Sequence, residues 1–279
     1  MKHSEYNWNT ADGVKIFAQN WEPDQPYKAV VCLVHGVGEH SGRYTHLAAF
    51  LNQKGYVLAG FDLRGHGKSG GQRGHTPDFD TLLDDLKRFI ALNRERYESK
   101  PIFLYGHSLG GTLVLDYAIR HDGILAGIIA TGPLIMTAFK PPVWKLSLGK
   151  IMAKIMPTYT MSNEVNPQAI SRDPEVVRAY IQDPLVHNRL SAQLGIEMLN
   201  AGDWILEHAV EFPLPLLLMN GSDDHLVSAL ACVEFAEKAG SQCTIRLWEG
   251  LYHEIHNEPE QNEVFDYLTQ WLERRLTGG

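Results

Sequence analysis

Apolar residues along the chain fall into short unbroken runs, separated by longer stretches in which they recur every third or fourth position. The runs are 15–18 (KIFA), 29–34 (AVVCLV), 56–61 (YVLAGF), 101–105 (PIFLY), 124–130 (ILAGIIA), 214–219 (LPLLLM) and 244–248 (TIRLW). Most are apolar at nearly every position, the pattern of strands buried on both faces. Between them, Phe79, Leu82, Leu83, Leu86, Phe89, Ile90 and Leu92 mark one side of a helix over 78–98. Val264, Leu268, Trp271, Leu272 and Leu276 do the same over 263–276. Strand then helix, repeated, predicts an α/β fold whose mostly parallel central sheet is flanked by helices on both faces. Such sheets carry their active sites at the carboxyl ends of the strands. The alternation stops between about 134 and 212, where helical patterns occur without a convincing strand. That break predicts a helical cap, 134–212, inserted into a core made of 1–133 and 213–279. After Pro141 and Pro142, the residues Trp144, Leu148, Ile151, Met152 and Ile155 share one side of a helix, with Lys150 and Lys154 on the other. A surface helix packed on the core accounts for this spacing. So does a mobile lid whose apolar side meets lipid while its lysines meet anionic headgroups. Pro142 and Pro157 at its ends and the methionines within it suit an adaptable lid.

Composition narrows the class. A chain of 279 residues with 44% hydrophobic and 21% charged residues can bury one large core and is too apolar for disorder. Lys+Arg of 25 against Asp+Glu of 33 gives a net charge of −8, which disfavours nucleic-acid partners. No stretch approaches the roughly 20 apolar residues that span a bilayer, and the N-terminal MKHSEYNWNTADG lacks the apolar centre of a secretory signal. Cys32, Cys232 and Cys243 are odd in number and far apart, as reduced thiols are and disulfide frames are not. The expectation is a cytoplasmic enzyme with no obligate protein partner evident.

Candidate chemistry begins at 101–111, PIFLYGHSLGG. An apolar strand runs into Gly106-His107-Ser108-Leu109-Gly110, and a helical stretch follows (Thr112 to Ile119). A strand-to-helix turn this tight lifts the serine hydroxyl above the sheet, and glycines on either side avoid collisions with neighbouring elements. It also points the Leu109 amide, at a helix start, toward the place where an oxyanion would form. His107 is a second candidate base, but next to Ser108 its geometry for proton transfer is poor, so it is expected to line or flank the site. Earlier, the strand 29–34 meets His35-Gly36-Val37-Gly38. The glycines allow a sharp turn that exposes the Val37 amide as a second oxyanion donor. A phosphate loop is excluded, since the third glycine of G-x-G-x-x-G and the Gly-Lys-Ser/Thr of a P-loop are missing.

A serine hydroxyl needs a histidine to take its proton, and the histidine needs a carboxylate to set its tautomer. In strand–turn–helix hydrolases these follow in the order Ser, Asp/Glu, His, each after a strand. LPLLLM is followed by Asn220-Gly221-Ser222-Asp223-Asp224, and TIRLW by Glu249-Gly250-Leu251-Tyr252-His253-Glu254-Ile255-His256. Asp224 and His253 are the choices, with Asp223 and His256 as competitors that position alone barely separates. The His253/His256 spacing is one residue short of H-E-x-x-H and falls in a loop, so no metal is predicted, nor any organic cofactor.

Together these segments resemble the α/β-hydrolase superfamily, and within it the monoacylglycerol lipase and lysophospholipase-like branch. The resemblance covers nearly the whole chain, through HGVGEHSGRY (35–44), FDLRGHGKSGGQRGH (61–75), GHSLGG (106–111), YIQDPL (180–185), GSDDHLV (221–227) and YHEIHNE (252–258). The family's acid stands last in G-x-x-D, which selects Asp224. Its base is the first histidine of Y-H-x-x-H, hence His253. The resemblance carries oxyanion donors onto Val37 and Leu109, and a polar alcohol-binding pocket onto Glu39, Arg43 and His256, with Tyr180 of the cap as a further contact. It assigns FDLRGHGKSGG a structural turn. Val227-Ser228 stands where some animal members carry a cysteine, so thiol-dependent inhibition there is not expected. Glu39 and Arg43 also make sense as a local ion pair that stiffens the oxyanion loop. The implied activity is cofactor-free hydrolysis of a monoacylglycerol or similar single-chain lipid ester, with the cap forming an acyl tunnel and touching membranes or micelles transiently. The alternatives are a general carboxylesterase, lysophospholipase or thioesterase, a small-substrate peptidase, and an inactive binding protein on the same fold. Epoxide or haloalkane hydrolysis would need a carboxylate in place of Ser108.

Overall fold

A computed structural model describes residues 1–121, 125–139 and 141–278. The apolar runs become the strands of an eight-stranded sheet: β1 (Lys2–Asn9), β2 (Lys15–Glu22), β3 (Ala29–Val34), β4 (Tyr56–Phe61), β5 (Ile102–His107), β6 (Gly127–Thr131), β9 (Leu216–Gly221) and β10 (Cys243–Trp248). Their order across the sheet is β1-β2-β4-β3-β5-β6-β9-β10. The pairs from β4 to β10 are parallel, while β1–β2 and β2–β4 are antiparallel. Ile124, the first residue of the expected 124–130 run, lies outside the described residues. β1 was not anticipated, for a physical reason. It is an edge strand, LysHisSerGluTyrAsnTrpAsn, that buries only Trp8 and leaves the rest largely to solvent.

Alternate residues of each central strand enter opposite apolar layers. Val30, Cys32 and Val34 of β3 pack with α2 (Phe79–Arg96), α3 (Leu109–Arg120) and α7 (Ala229–Ala239). Val31 and Leu33 pack on the other face with α1 (Thr45–Gln53) and α8 (Gln261–Leu276), where Trp271 is fully buried. Each such apolar side chain contributes about 1.5–3 kcal/mol on burial. The α2 helix starts where Asp78 accepts the Thr81 amide at 2.7 Å.

The connection from β6 to β9 runs through α4 (Val143–Ile155), β7 (Thr160–Ser162), α5 (Pro174–Gln182), β8 (Arg189–Ser191) and α6 (Ala192–Glu207). The expectation of no strand here is overturned, since β7 and β8 pair antiparallel with Thr160 opposite Ser191. Three residues are too few to display a period in the sequence. α4 buries none of its side chains, and Val143, Trp144, Leu148, Ile151 and Ile155 are all half or more exposed. Among the described residues no helix is long and apolar enough to cross a membrane.

Candidate active site

β5 ends at His107 and α3 begins at Leu109, so the whole reversal falls on Ser108, whose backbone stands at φ 54°, ψ −118°. For a residue with a Cβ this costs on the order of 1–3 kcal/mol and persists only where the surroundings impose it. The Ser108 amide donates to the Thr131 carbonyl at 3.0 Å, and the Ser108 carbonyl accepts the Thr112 amide at 3.0 Å. Close backbone packing completes the turn. A Cβ on Gly106 would lie 2.2 Å from the Gly110 carbonyl oxygen, and one on Gly110 would lie 2.1 Å from that of Val34. A side chain at Gly106 would displace the start of α3, and one at Gly110 would displace β3.

Asp224 and His253 sit on the loops after β9 and β10. Asp224 Oδ1 accepts the amides of Leu226 at 2.8 Å and Val227 at 3.0 Å, and Oδ2 lies 2.7 Å from His253 Nδ1. The neighbouring Asp223 side chain is exposed, so burial separates the two carboxylates that their positions did not. Burial alone would raise the Asp224 carboxyl, yet the His253 imidazole and the donated hydrogen bonds hold it below its ordinary value. Burial likewise works against a charged His253, but Asp224, with Glu254 and Glu39 beyond it, outweighs burial and raises its pKa. The proton shared with Asp224 belongs on Nδ1, which leaves the Nε2 lone pair uncommitted. Gly132, at φ 50°, gives the ring its seat, since a Cβ there would come within 3.1 Å of His253 Cε1 and Nδ1. Among the described residues neither the Ser108 hydroxyl nor His253 Nε2 has a hydrogen-bond partner, and both side chains line one cavity. His107 lines it too, with its ring centre 4.7 Å from that of His253. Burial, aided by His253, lowers the His107 pKa to about 4, so His107 stays neutral.

The amides of Val37 and Leu109 make no hydrogen bond among the described residues. Val37 lines the cavity wall, and Leu109 is the first residue of α3, where helix amides lack intrahelical acceptors. The cavity has a volume of about 300 Å³. Leu134, Leu146, Met161, Ile196, Met198 and Leu199 make its apolar walls.

Of the four residues expected in a polar pocket, Glu39 and Tyr180 line the cavity, while Arg43 and His256 do not. Glu39 is turned inward: Oε1 accepts the Gly36 amide at 2.6 Å and the Tyr44 hydroxyl at 2.8 Å, and Oε2 accepts from Arg43 at 2.7 Å. Burial would raise this carboxyl, but Arg43, His107 and His35 together lower it to about 2. Arg43 also grips Glu254 through two 2.7 Å bonds and lies 4.8 Å beneath the Tyr180 ring. His256 is fully buried and stacked on Tyr44 at 4.7 Å, and neither ring nitrogen has a partner. Burial keeps it neutral. Arg43, bonded to Glu39 and Glu254, and His256, stacked on Tyr44, are thus set back from the cavity. Both lie behind the wall, because the oxyanion loop and the base loop close on each other over these side chains.

A family model described as serine aminopeptidase, S33, matches residues 25–260. The chain belongs to this family. It is a serine hydrolase of the carboxylic-ester class on the α/β-hydrolase fold. A monoacylglycerol lipase of Mycolicibacterium smegmatis is 32% identical over 98% of this chain and 98% of its own length. The crystal structure of a monoacylglycerol lipase from Paleococcus ferrophilus superposes with a TM-score of 0.84, at 32% identity, over 99% of this chain and 100% of that one. An uncharacterized abhydrolase domain-containing protein of Dictyostelium discoideum is 39% identical over 99% of this chain, which spans 30% of that longer protein.

Two features of this hydrolase escaped the sequence reading. Gly132 gave no signal beyond a Thr-Gly-Pro at a strand end, and its importance appears only once His253 is seated against it. Glu254 was passed over as a neighbour of the histidine, because its partner Arg43 lies 211 positions away in the sequence.

Proposed function

We propose that the protein cleaves monoacylglycerols, or closely similar single-chain lipid esters, to fatty acid and glycerol through an acyl-enzyme. Ser108 Oγ attacks the ester carbonyl while His253 Nε2 takes its proton, and Asp224 stabilises the imidazolium that results. The Val37 and Leu109 amides hold the oxyanion. The tetrahedral intermediate collapses as His253 passes the proton to the departing glycerol oxygen. Water then attacks the acyl carbonyl, His253 again accepting a proton and returning it to Ser108. The observation that carries this reading is the Asp224-bound imidazole, its Nε2 free, on the wall of the cavity that Ser108 enters at a strained turn. The apolar walls suit one acyl chain, and relatives named monoacylglycerol lipase along the full length support the substrate class.

The 134–212 segment acts in this reading as a lid. Its exposed Trp144, Leu148, Ile151 and Ile155 would enter a membrane or micelle surface while substrate is loaded. Three free cysteines with burial-raised pKa values suit the reducing cytoplasm. The test is an ester panel in which acyl length varies independently of a glyceryl, ethyl or phosphocholine head group. A preference in kcat/KM for the glyceryl series supports the proposal. Equal rates on ethyl esters would make the protein a general carboxylesterase, and a phosphocholine preference a lysophospholipase.

A further inference from the structure

One buried guanidinium joins the two loops that face Ser108. Glu254 adjoins His253 in sequence, and its side chain is 4% exposed. Its carboxylate meets Arg43 as a fork, NH1 to Oε1 at 2.7 Å and NH2 to Oε2 at 2.7 Å. The same NH1 reaches Glu39 Oε2 at 2.7 Å, and Glu39 Oε1 holds the Gly36 amide, the residue before Val37, at 2.6 Å. A continuous path of short polar contacts therefore runs from the oxyanion loop to the base loop. Glu254 is itself braced by Asn257 Nδ2 at 2.7 Å, and its amide donates to the Ile170 carbonyl at 2.8 Å.

We propose that Glu254 is a positioning residue for this reaction: its fork on Arg43 locks the His253 loop to the oxyanion loop, so that base and oxyanion donors keep a fixed offset from Ser108. A planar two-bond grip fixes orientation as well as distance, which a point charge would not. As a device for stability alone the cluster is a poor one, because burying three charges costs desolvation that an apolar filling of the same volume avoids. It also carries two carboxylates and one guanidinium, hence one excess negative charge beside the imidazole. That charge favours the imidazolium formed when Ser108 gives up its proton. The other titratable groups facing this region are Asp224, His35, His46, His107, His256, Tyr44, Tyr105 and Tyr180. Asp224 acts in the same sense, and burial keeps the four histidines neutral and the three tyrosines protonated.

The inference rests on His253 being the base, so the experiment includes His253→Ala. Glu254→Gln, Glu254→Asp and His253→Ala are assayed with the wild type on one glyceryl monoester, with KM, kcat and a pH profile for each, and with melting curves. Displacing reacting groups by about 1 Å costs on the order of 100-fold, so E254Q should lose about 10- to 100-fold in kcat with KM little changed. The acidic limb of its kcat/KM profile should also move to lower pH. E254D keeps the charge but shortens the reach, so kcat should fall while the limb stays at its wild-type position. A folded E254Q with wild-type kcat and an unmoved limb overturns the proposal. If E254Q does not fold, E254D decides it, and wild-type kcat there overturns the proposal equally. An inactive H253A alongside unimpaired Glu254 variants sinks the clamp alone, whereas an active H253A sinks the assignment of the base.

Discussion

Replacing Asp224 with Asn changes one atom of the site and separates charge from shape. In the native protein Oδ1 is committed to the amides of Leu226 and Val227, which leaves Oδ2 for His253 Nδ1 at 2.7 Å. An asparagine must keep its oxygen on the two amide donors, so its NH2 faces the imidazole. His253 then offers a lone pair at Nδ1 and carries its proton on Nε2, toward Ser108, where it can accept nothing. Loss of the correct tautomer in such triads costs about 10⁴ in kcat, equivalent to roughly 5.5 kcal/mol at the transition state. The pH profile shifts as well. Asp224 outweighs burial to raise His253 above its ordinary 6.5, so wild-type kcat/KM should climb through a midpoint above 6.5, and the variant's midpoint should fall below it.

The same pair sets a stability window. Asp224 is lowered from 3.8, so its contribution is present above that pH and is lost as pH falls through the folded value. His253 is raised from 6.5, so its contribution is complete below 6.5 and is lost as pH rises through the folded value. The melting difference between wild type and D224N should thus be largest between these values and shrink on both sides. Steady-state assays on a glyceryl monoester and calorimetric melts across that range measure both effects. A folded D224N retaining a tenth or so of wild-type kcat, against the roughly 10⁴-fold loss expected, would refute the argument. So would an unmoved acidic limb.

Gly132→Ala places a Cβ at positive φ, costing about 1 kcal/mol, and 3.1 Å from the His253 ring. Melting should drop by only a few degrees while kcat falls about tenfold or more as the ring shifts; unchanged kcat would contradict the tight seat. Gly110→Ala drives a Cβ to 2.1 Å from the Val34 carbonyl, so expression should give little folded protein, and a wild-type melting curve would contradict this. Trp144→Ser with Ile151→Ser removes two exposed apolar side chains of α4. Partition onto anionic vesicles, measured by cosedimentation, should drop while hydrolysis of a water-soluble short-chain ester is unchanged; equal vesicle binding would contradict the surface role of the helix.

Much of the sheet was legible because a strand buried on both faces must be apolar throughout, as 29–34 and 56–61 are. What failed was local and has local causes. β1 is a polar edge strand, and β7 and β8 are each a single turn of pleat. The positions of Ser108, Asp224 and His253 on three loops at one sheet end followed from strand order, since every parallel strand delivers its following loop to the same side. Their neighbours were harder. Residue type placed Glu39, Arg43 and His256 near the polar end of the site, but how far each faces the cavity depends on how two distant loops close. Arg43 found Glu254, 211 positions away, and His256 was sealed beneath Tyr44. No spacing within either loop encodes that meeting.

The central claim is that the Ser108 hydroxyl is the nucleophile activated by His253. A fluorophosphonate probe followed by peptide mass spectrometry tests it most directly. One probe adduct per chain, on the peptide and side chain of Ser108, with labelling sharply slowed in His253→Ala, is the predicted result. An unlabelled Ser108 in active protein, or labelling at full rate without the imidazole, would contradict the account.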